Sequence, residues 1–326
     1  MSFSRLGIFV LIIATVLTAT NCSFYNRVAS RKNLVDGSEA YKGRKFAEAE
    51  ALFRRATERD PDGSTLEGRI AQVFLARTLH SEYVGDRQKT SLAEAAIEAY
   101  KKALTFDAND QSSYKAVAGL YENLDKTDEW QRWVTERSAN ESIKPQYRAD
   151  ALIALAAKQN SCANSISDTE ATKKPAKRDG KDVFQYVKPA DPAEFDKMKA
   201  CIEQGKKLVD QALTLETDEV KNAKNVDVNP LTDAQLVALG DAVQSFESAR
   251  SYKASMLIQD SRLAEMEGRE DDAAKLREEA NAAREAYVEL STVTANIQAE
   301  KDARVEEAKA NANANANANA GNNAGS

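Results

Sequence analysis

Small residues recur opposite bulky ones at helical spacing, beginning near Ser30. In the first such stretch the small residues are Gly37, Ala49 and Ala56, the bulky ones are Phe46 and Phe53, and Pro61 follows them. Where two helix backbones approach closely, a small residue on one leaves room for a large side chain of the other. The spacing therefore predicts paired helices that stack as a repeated unit.

Turn-forming residues are scarce, with 13 Gly and 6 Pro among 326 residues. A sandwich or barrel of many short strands needs such residues roughly every ten positions, so that class is excluded. The charged fraction of 29% fits long helices with solvated faces. A formal net charge of −6 argues against nucleic-acid binding, because that function needs a clustered basic face.

The pattern returns in a second stretch, where Ala71 and then Ala96 hold small positions. If one repeated unit is 34 residues long, Ala96 comes about thirteen residues too late when counted from Ala49. An insertion is therefore expected between the two helices, around residues 77–90. Ser91 and Glu94 form a capping box that predicts the start of the second helix.

A third stretch follows in step, with Tyr114, Ala118 and Tyr121 in the matching places of its first helix. Its second helix departs from the pattern because Trp130 stands where a small residue belongs. Trp130 and Trp133 share one helical face. That face is interpreted either as helix packing or as an aromatic platform for a ligand.

These stretches resemble the tetratricopeptide repeat, a 34-residue helix–turn–helix unit, and its A-x₃-F…P signature is matched by Ala49, Phe53 and Pro61. The resemblance covers residues 30–144 in three repeats, and two looser repeats follow. It implies an all-α fold, an α-solenoid of about five helical hairpins with insertions, a C-terminal capping helix and a disordered tail. Such arrays bind peptide segments or partner proteins through their helix faces, and the resemblance does not identify the partner.

The fourth repeat is expected over residues 145–216. Pro145 begins a helix predicted to run to about Asn160, and Asp191 and Pro192 supply the N-cap and first turn of its partner helix. A basic insertion, residues 163–190, lies between them and is interpreted as a solvated loop or as a contact for an acidic partner or anionic lipid headgroups. Its Phe184 and Tyr186 suit strand pairing or a partner pocket.

Cys162 and Cys201 flank this insertion. In an oxidising compartment the two can form a disulfide that ties the loop at its base. Sequence alone leaves pairing and free thiols open, because it does not give the distance between the two Cα atoms.

A polar linker, residues 217–231, precedes the last predicted helices. Thr232 and Gln235 form a capping box at the start of a long helix, and Gly268 marks the turn after it. Residues 232–309 are expected to hold a fifth, degenerate repeat and a separate capping helix. The Asn/Ala alternation of residues 310–326 lacks charged, aromatic and branched aliphatic residues, and it predicts a disordered tail.

The first residues indicate export. Arg5 precedes an apolar run from Leu6 to Ala19, which is too short for a spanning helix and typical of a signal peptide, here residues 1–21. The run resembles a bacterial lipoprotein signal, which implies a lipid on Cys22 and a linker over residues 22–29, although Ala19 and Asn21 replace the usual lipobox residues. Ordinary cleavage giving a secreted protein, and an uncleaved signal anchor, remain alternatives.

Motifs of enzyme chemistry are lacking. The sequence has no phosphate-binding loop, no dinucleotide fingerprint, no zinc-protease motif and no nucleophile elbow. His80 is the single histidine, which removes most histidine-dependent catalysis and metal binding. No catalytic residue, metal or cofactor is therefore predicted.

The resulting hypothesis is a lipid-anchored scaffold of the cell envelope, on the periplasmic or outer face of a membrane, that binds a protein or peptide and serves envelope assembly or secretion. The expected partner-binding face comprises Arg31, Leu34, Ser38, Lys42, Ser112, Lys115, Gly119 and Glu122. The alternative is a helical-repeat lipoprotein that binds a small molecule or glycan, with Trp130, Trp133 and Tyr147 as stacking surfaces.

Overall fold

The computed structural model describes residues 26–178 and 180–323. Within these ranges the chain is helical throughout, apart from its turns and one two-stranded antiparallel sheet. The helices are α1 (26–42), α2 (Phe46–Arg59), α3 (Leu66–Gly85), α4 (Thr90–Phe106), α5 (Gln111–Asn123), α6 (Thr127–Ala139), α7 (Pro145–Ser167), α8 (Pro192–Thr214), α9 (Asp218–Lys221), α10 (Asp233–Met266) and α11 (Glu270–Asn323). The strands are β1 (Lys173–Arg178) and β2 (Lys181–Tyr186).

The chain divides into two units at the boundary between Trp130 and Gln131. We call described residues 26–130 the N-terminal unit and described residues 131–323 the C-terminal unit. Each is built of neighbouring helices packed as hairpins, so the predicted all-α helical-repeat fold is confirmed.

In the N-terminal unit each helix packs on the next, α2 on α3, α3 on α4 and α4 on α5. The predicted small and bulky positions meet at Gly37 and Phe53, where a Cβ added to the glycine would lie 2.7 Å from the phenylalanine ring. Ala49, Ala71 and Ala96 are fully buried. The small residues therefore allow the helix backbones to approach, as the repeat predicts.

The predicted insertion of the second repeat takes a different form. α3 runs to Gly85 and α4 begins at Thr90, so the extra residues lengthen both helices and leave a short turn. The expected capping box at Ser91 and Glu94 is wrong, because Lys89 is the N-cap and makes no side-chain cap. Helix continues there because no Gly or Pro interrupts residues 69–84.

In the C-terminal unit α7, α8 and α10 pack against one another, and α10 also packs along α11. Gly205 on α8 is the close approach: an added Cβ would lie 2.5 Å from Met256 Cε of α10 and 3.2 Å from Gln159 Cβ of α7. The predicted helix starts are confirmed. The Asp191 side chain accepts from the Ala193 N–H, and Thr232 and Gln235 form a full capping box.

Several elements of the C-terminal unit are longer or more ordered than expected. α7 continues beyond Asn160 to Ser167, and the insertion forms the β1–β2 hairpin, with pairs from Lys173–Tyr186 to Arg178–Lys181. The predicted linker contains α9 and a short 3₁₀ helix (Ala223–Asn225), with Val220 buried.

The second helix of the fifth repeat and the predicted capping helix are one continuous helix, α11. The separation expected between them is wrong, because no Gly or Pro occurs from residue 269 to residue 320. α11 extends to Asn323 and so includes part of the Asn/Ala alternation. Ala favours helix and Asn disfavours it, and the alternation has no apolar stripe to pack, so a disordered tail stays a prediction.

Candidate protein-interaction groove

The N-terminal unit has a groove of about 1170 Å³. It lies where α1 turns into α2 and where α3 turns into α4, and we call it the α1–α4 groove. Its lining includes the residues Tyr41, Lys42, Arg44, Phe46, Glu50, Arg77, His80, Glu82, Val84, Lys89 and Tyr100.

Three aromatic side chains of the lining, Tyr41, Phe46 and Tyr100, form what we call the aromatic floor of the groove. The ring of Tyr41 lies 5.6 Å from that of Phe46 and 5.9 Å from that of Phe74, and Phe74 stacks on the buried Phe53 at 5.4 Å. Tyr41 Oη also lies 3.1 Å from Ser81 Oγ on α3. α1 therefore meets α3 before α3 ends at Gly85, and the last turns of α3 form one wall.

Cationic side chains border the aromatic floor. The guanidinium of Arg77 lies 5.7 Å from the ring of Phe74, and that of Arg44 lies 5.9 Å from the ring of Phe46. Lys42 and Lys89 are exposed at the rim. With two carboxylates, Glu50 and Glu82, against these cations, the lining carries a net positive charge in a chain that is acidic as a whole.

Burial shifts two titratable groups of the groove toward their neutral forms. It lowers the pKa of His80, with the nearby Arg87 adding to the effect, and it raises the pKa of Glu82, with Glu50 adding to the effect. His80 Nδ1 lies 3.5 Å from Tyr100 Oη. At neutral pH the cationic character of the groove therefore comes from Lys and Arg.

The residues of the predicted partner-binding face occupy α1 and α5. Arg31, Ser112, Lys115 and Glu122 are exposed, as is Lys42, while Leu34, Ser38 and Gly119 are half-buried. Of these, Lys42 lines the groove, and Ser112 Oγ accepts a hydrogen bond of 3.3 Å from Arg77 Nη2. The part of this face that binds a partner stays a prediction.

The aromatic platform weighed for a glycan ligand is largely covered. Trp130 and Tyr147 are buried and Trp133 is half-buried. Helix packing is therefore the interpretation that their surroundings favour.

In the C-terminal unit a disulfide joins Cys162 of α7 to Cys201 of α8, with the two Cα atoms 6.2 Å apart. Cys162 lies near the end of α7, whereas Cys201 lies well inside α8. The bridge therefore ties the two helices directly. Cys22, the predicted lipid attachment site, and the signal peptide lie outside the described residues.

The described residues contain neither a membrane-spanning helix nor a metal-binding cluster. Within them no helix combines the length and apolar content needed to cross a membrane. Nor do those ranges contain a group of three or more His, Cys, Asp or Glu residues able to hold a metal ion. The absence of catalysis and of a cofactor stays a prediction.

Sequence reasoning missed the groove. It predicted Lys42 but not Arg77 or Val84, because it placed the extra residues of the second repeat in an insertion between its two helices. The uninterrupted run from residue 69 to residue 84 was the signal for a longer α3.

Comparison with known proteins gives distant structural likenesses. No protein-family model matches the chain, and no curated protein does. A solved structure described as the functional characterization of Pseudomonas aeruginosa pilF aligns with 83% of this chain and 99% of its own, at 17% identity and a TM-score of 0.31. A tetratricopeptide repeat protein from Parabacteroides merdae aligns with 82% of this chain and 98% of its own, at 10% identity and a TM-score of 0.31. At these values the fold assignment depends on the helical hairpins described above.

Proposed function

We propose that this protein is a scaffold of the cell envelope that binds partner proteins through its N-terminal unit, with the α1–α4 groove as the main contact. The observation that carries the proposal is the groove itself, in which an aromatic floor is bordered by Arg and Lys. Tyr and Arg are enriched among the residues that contribute most to protein–protein binding.

The size and charge of the groove define the partner segment. A volume of about 1170 Å³ exceeds the usual range of small-molecule sites, which is about 300–1,000 Å³. The net positive lining favours a segment with Asp or Glu, and the aromatic floor favours one with bulky apolar side chains. The proposed ligand is therefore a protein segment that is both acidic and apolar.

The first test is site-specific crosslinking in cells. A photocrosslinking amino acid in place of Val84, which is 52% exposed at the groove, is expected to capture a defined partner. The same substitution at Val237 of α10, which is 50% exposed, is the matched control. If both positions crosslink the same partners with equal yield, the groove is not the main contact.

The second test changes the charge of the groove. The double variant Lys42→Glu/Lys89→Glu is expected to abolish the Val84 crosslink, whereas Lys102→Glu, exposed on α4, is expected to leave it unchanged. Substitution of Lys115 and Glu122 on α5 examines the rest of the predicted face. If this pair removes the crosslink and the groove variant does not, binding occurs on α5 instead.

We propose further that a lipid on Cys22 holds the scaffold at a membrane. The support is the sequence: a charged residue, an apolar run and then a cysteine. Stable anchoring takes more than one acyl chain, as such an N-terminal cysteine carries. The intact mass of the protein extracted from envelopes is expected to show diacylated Cys22 and loss of residues 1–21. A mass that corresponds to an unmodified chain cleaved elsewhere would contradict anchoring and leave the groove proposal intact.

A further inference from the structure

A second cavity, in the C-terminal unit, differs in chemistry from the α1–α4 groove. It measures about 510 Å³ and lies between α7, α10 and α11. Its polar lining comprises Asn160, Asn164, Ser251, Ser255, Gln259, Arg262, Arg284 and Tyr287. The volume lies within the usual range for small-molecule sites.

The lining contains two guanidinium groups and no carboxylate. Among described residues neither Arg262 nor Arg284 forms an ion pair with a carboxylate. Of the nearby carboxylates, Glu265 pairs with Arg277, and Asp168 pairs with Lys173, which lowers the pKa of Asp168, with the charge of Arg262 adding to the effect. Arg284 is exposed and has no carboxylate partner among the described residues, so the cavity lining itself carries positive charge, which favours an anion there.

Arg262 is held in place by neutral groups. Its Nη1 donates to Asn164 Oδ1 at 3.0 Å and to Ser167 Oγ at 3.1 Å, and its guanidinium lies 4.8 Å from the ring of Tyr186. Gln259 completes the network, because its Oε1 accepts from Ser167 Oγ and its Nε2 donates to Asn164 Oδ1. The guanidinium is therefore oriented before any ligand arrives, which reduces the entropy lost on binding.

Two polar atoms at the cavity are buried and have no hydrogen-bond partner: Arg262 Nε, a donor, and Asn160 Oδ1, an acceptor. Leaving such groups unsatisfied costs free energy. A ligand that presents an anion together with an N–H or O–H group would supply partners of both kinds, after small side-chain movements. An inorganic anion supplies acceptors only.

We propose that the cavity between α7, α10 and α11 binds a small organic carboxylate that also carries a hydrogen-bond donor beside the carboxylate. Arg262 and Arg284 bind the carboxylate oxygens, and Asn160 accepts from the donor. The hydroxyl groups of Ser251, Ser255 and Tyr287 complete a polar wall. The same chemistry occurs in a free organic acid and at the C-terminus of a peptide.

The test titrates the full-length protein with N-acetylglycine at constant ionic strength, using calorimetry and the Arg side-chain Nε–H signals in NMR spectra. Saturable binding that shifts the Arg262 signal is expected, and N-acetylglycinamide, which lacks the charge, is expected not to bind. No saturation at millimolar N-acetylglycine, or equal binding of the amide, would overturn the proposal. Inorganic phosphate that binds as tightly as N-acetylglycine would overturn the assignment to an organic carboxylate.

Variants on α11 provide the matched pair. Arg284→Gln is expected to weaken N-acetylglycine binding by about tenfold, because a charge-assisted hydrogen bond is lost. Lys275→Gln removes the same charge from an exposed position of α11 outside the cavity and is expected to have no effect. If the two variants weaken binding equally, the effect comes from the overall charge of the protein and the proposed site is wrong.

A final arm separates the two sources of the ligand. Acetylated pentaalanine with a free C-terminus that binds more tightly than N-acetylglycine supports a peptide end as the ligand. The reverse order supports a free organic acid. Because neither arm involves the α1–α4 groove, failure here leaves the proposed partner binding standing.

Discussion

Both units are built of helical hairpins, but the contacts that stabilise each unit join residues at different separations along the chain. In the N-terminal unit the main contacts join neighbouring helices. Gly37 contacts Phe53, and Gln72 Nε2 donates to the Ala99 carbonyl. In the C-terminal unit they join distant segments. Tyr147 Oη donates to Asp241, and the backbone N–H of Tyr186 donates to Glu265.

This difference shows that a short spacing pattern in the sequence describes the stacking of neighbouring hairpins and not the contacts between distant segments. Nearest-neighbour stacking makes each hairpin depend mainly on the next one, so a local pattern is sufficient. The C-terminal unit instead packs three helices around α10 and adds a disulfide, a β-hairpin and an extended α11. Its stability is therefore expected to depend on long-range links, and the N-terminal unit's on close packing.

The largest expected effect comes from the packing of the N-terminal unit. Phe53→Ala is expected to lower the free energy of unfolding by about 3–5 kcal/mol, because it empties a fully buried site beneath Phe74. Hydrogen exchange read by mass spectrometry is expected to show lost protection in α1, α2 and α3, with α10 and α11 unchanged. Equal loss of protection in both units would mean that they unfold together.

The next effect separates the units through the disulfide. The double variant Cys162→Ala/Cys201→Ala is expected to lower the stability of the C-terminal unit by about 4 kcal/mol, the chain-entropy value for a loop of this size. The bridge joins residues 39 positions apart, so its removal frees a large loop in the unfolded chain. Chemical denaturation with hydrogen exchange checks this, and an unchanged midpoint for α7 and α8 would contradict it.

The features that sequence predicted are those that neighbouring residues determine. The small position Gly37, and the helix starts at Asp191 and Thr232, depend on residues within a few positions or on the repeat spacing. They could be predicted because capping and close helix approach are local in cause.

The two cavities could not be predicted in the same way. The α1–α4 groove depends on extra residues that continue α3 as helix. The repeat spacing predicted how many extra residues there are, but not that they are helical. The second cavity collects Asn160, Arg262 and Arg284 from three helices, and no spacing along the chain connects them. The chain pattern therefore predicted the hairpins, and tertiary packing produced the candidate sites.

A smaller effect compares the two glycine contacts directly. Gly37→Ala is expected to destabilise the N-terminal unit by about 1–3 kcal/mol, because the new Cβ meets a rigid, buried ring. Gly205→Ala is expected to cost less, since its nearest neighbour is the flexible end of Met256. Gly119→Ala, whose new Cβ would meet nothing within 4 Å apart from its chain neighbours and its own helix backbone, is the control and is expected to be neutral or slightly stabilising. Thermal unfolding of the three variants ranks their stabilities. A larger loss of stability in Gly205→Ala than in Gly37→Ala would contradict this prediction.

The smallest effect concerns the turn between α2 and α3 and depends on pH. Burial opposes ionisation of Asp60, but hydrogen bonds from the side chains and backbone N–H groups of Thr65 and Ser64 outweigh it and hold the pKa below its usual value. Because the folded pKa is the lower one, this carboxylate stabilises the fold above the usual Asp value of 3.8, and the contribution is lost as the pH falls through the folded pKa.

Asp60→Asn is therefore expected to lower stability by about 1–2 kcal/mol at neutral pH and to lose that deficit under acid conditions. Thermal unfolding from pH 7 down to pH 2.5 measures the difference between variant and parent. Asp62→Asn, exposed in the same turn, is the matched control and is expected to follow the parent at every pH. A deficit that stays constant down to pH 2.5 would show that Asp60 acts through its shape and not through its charge.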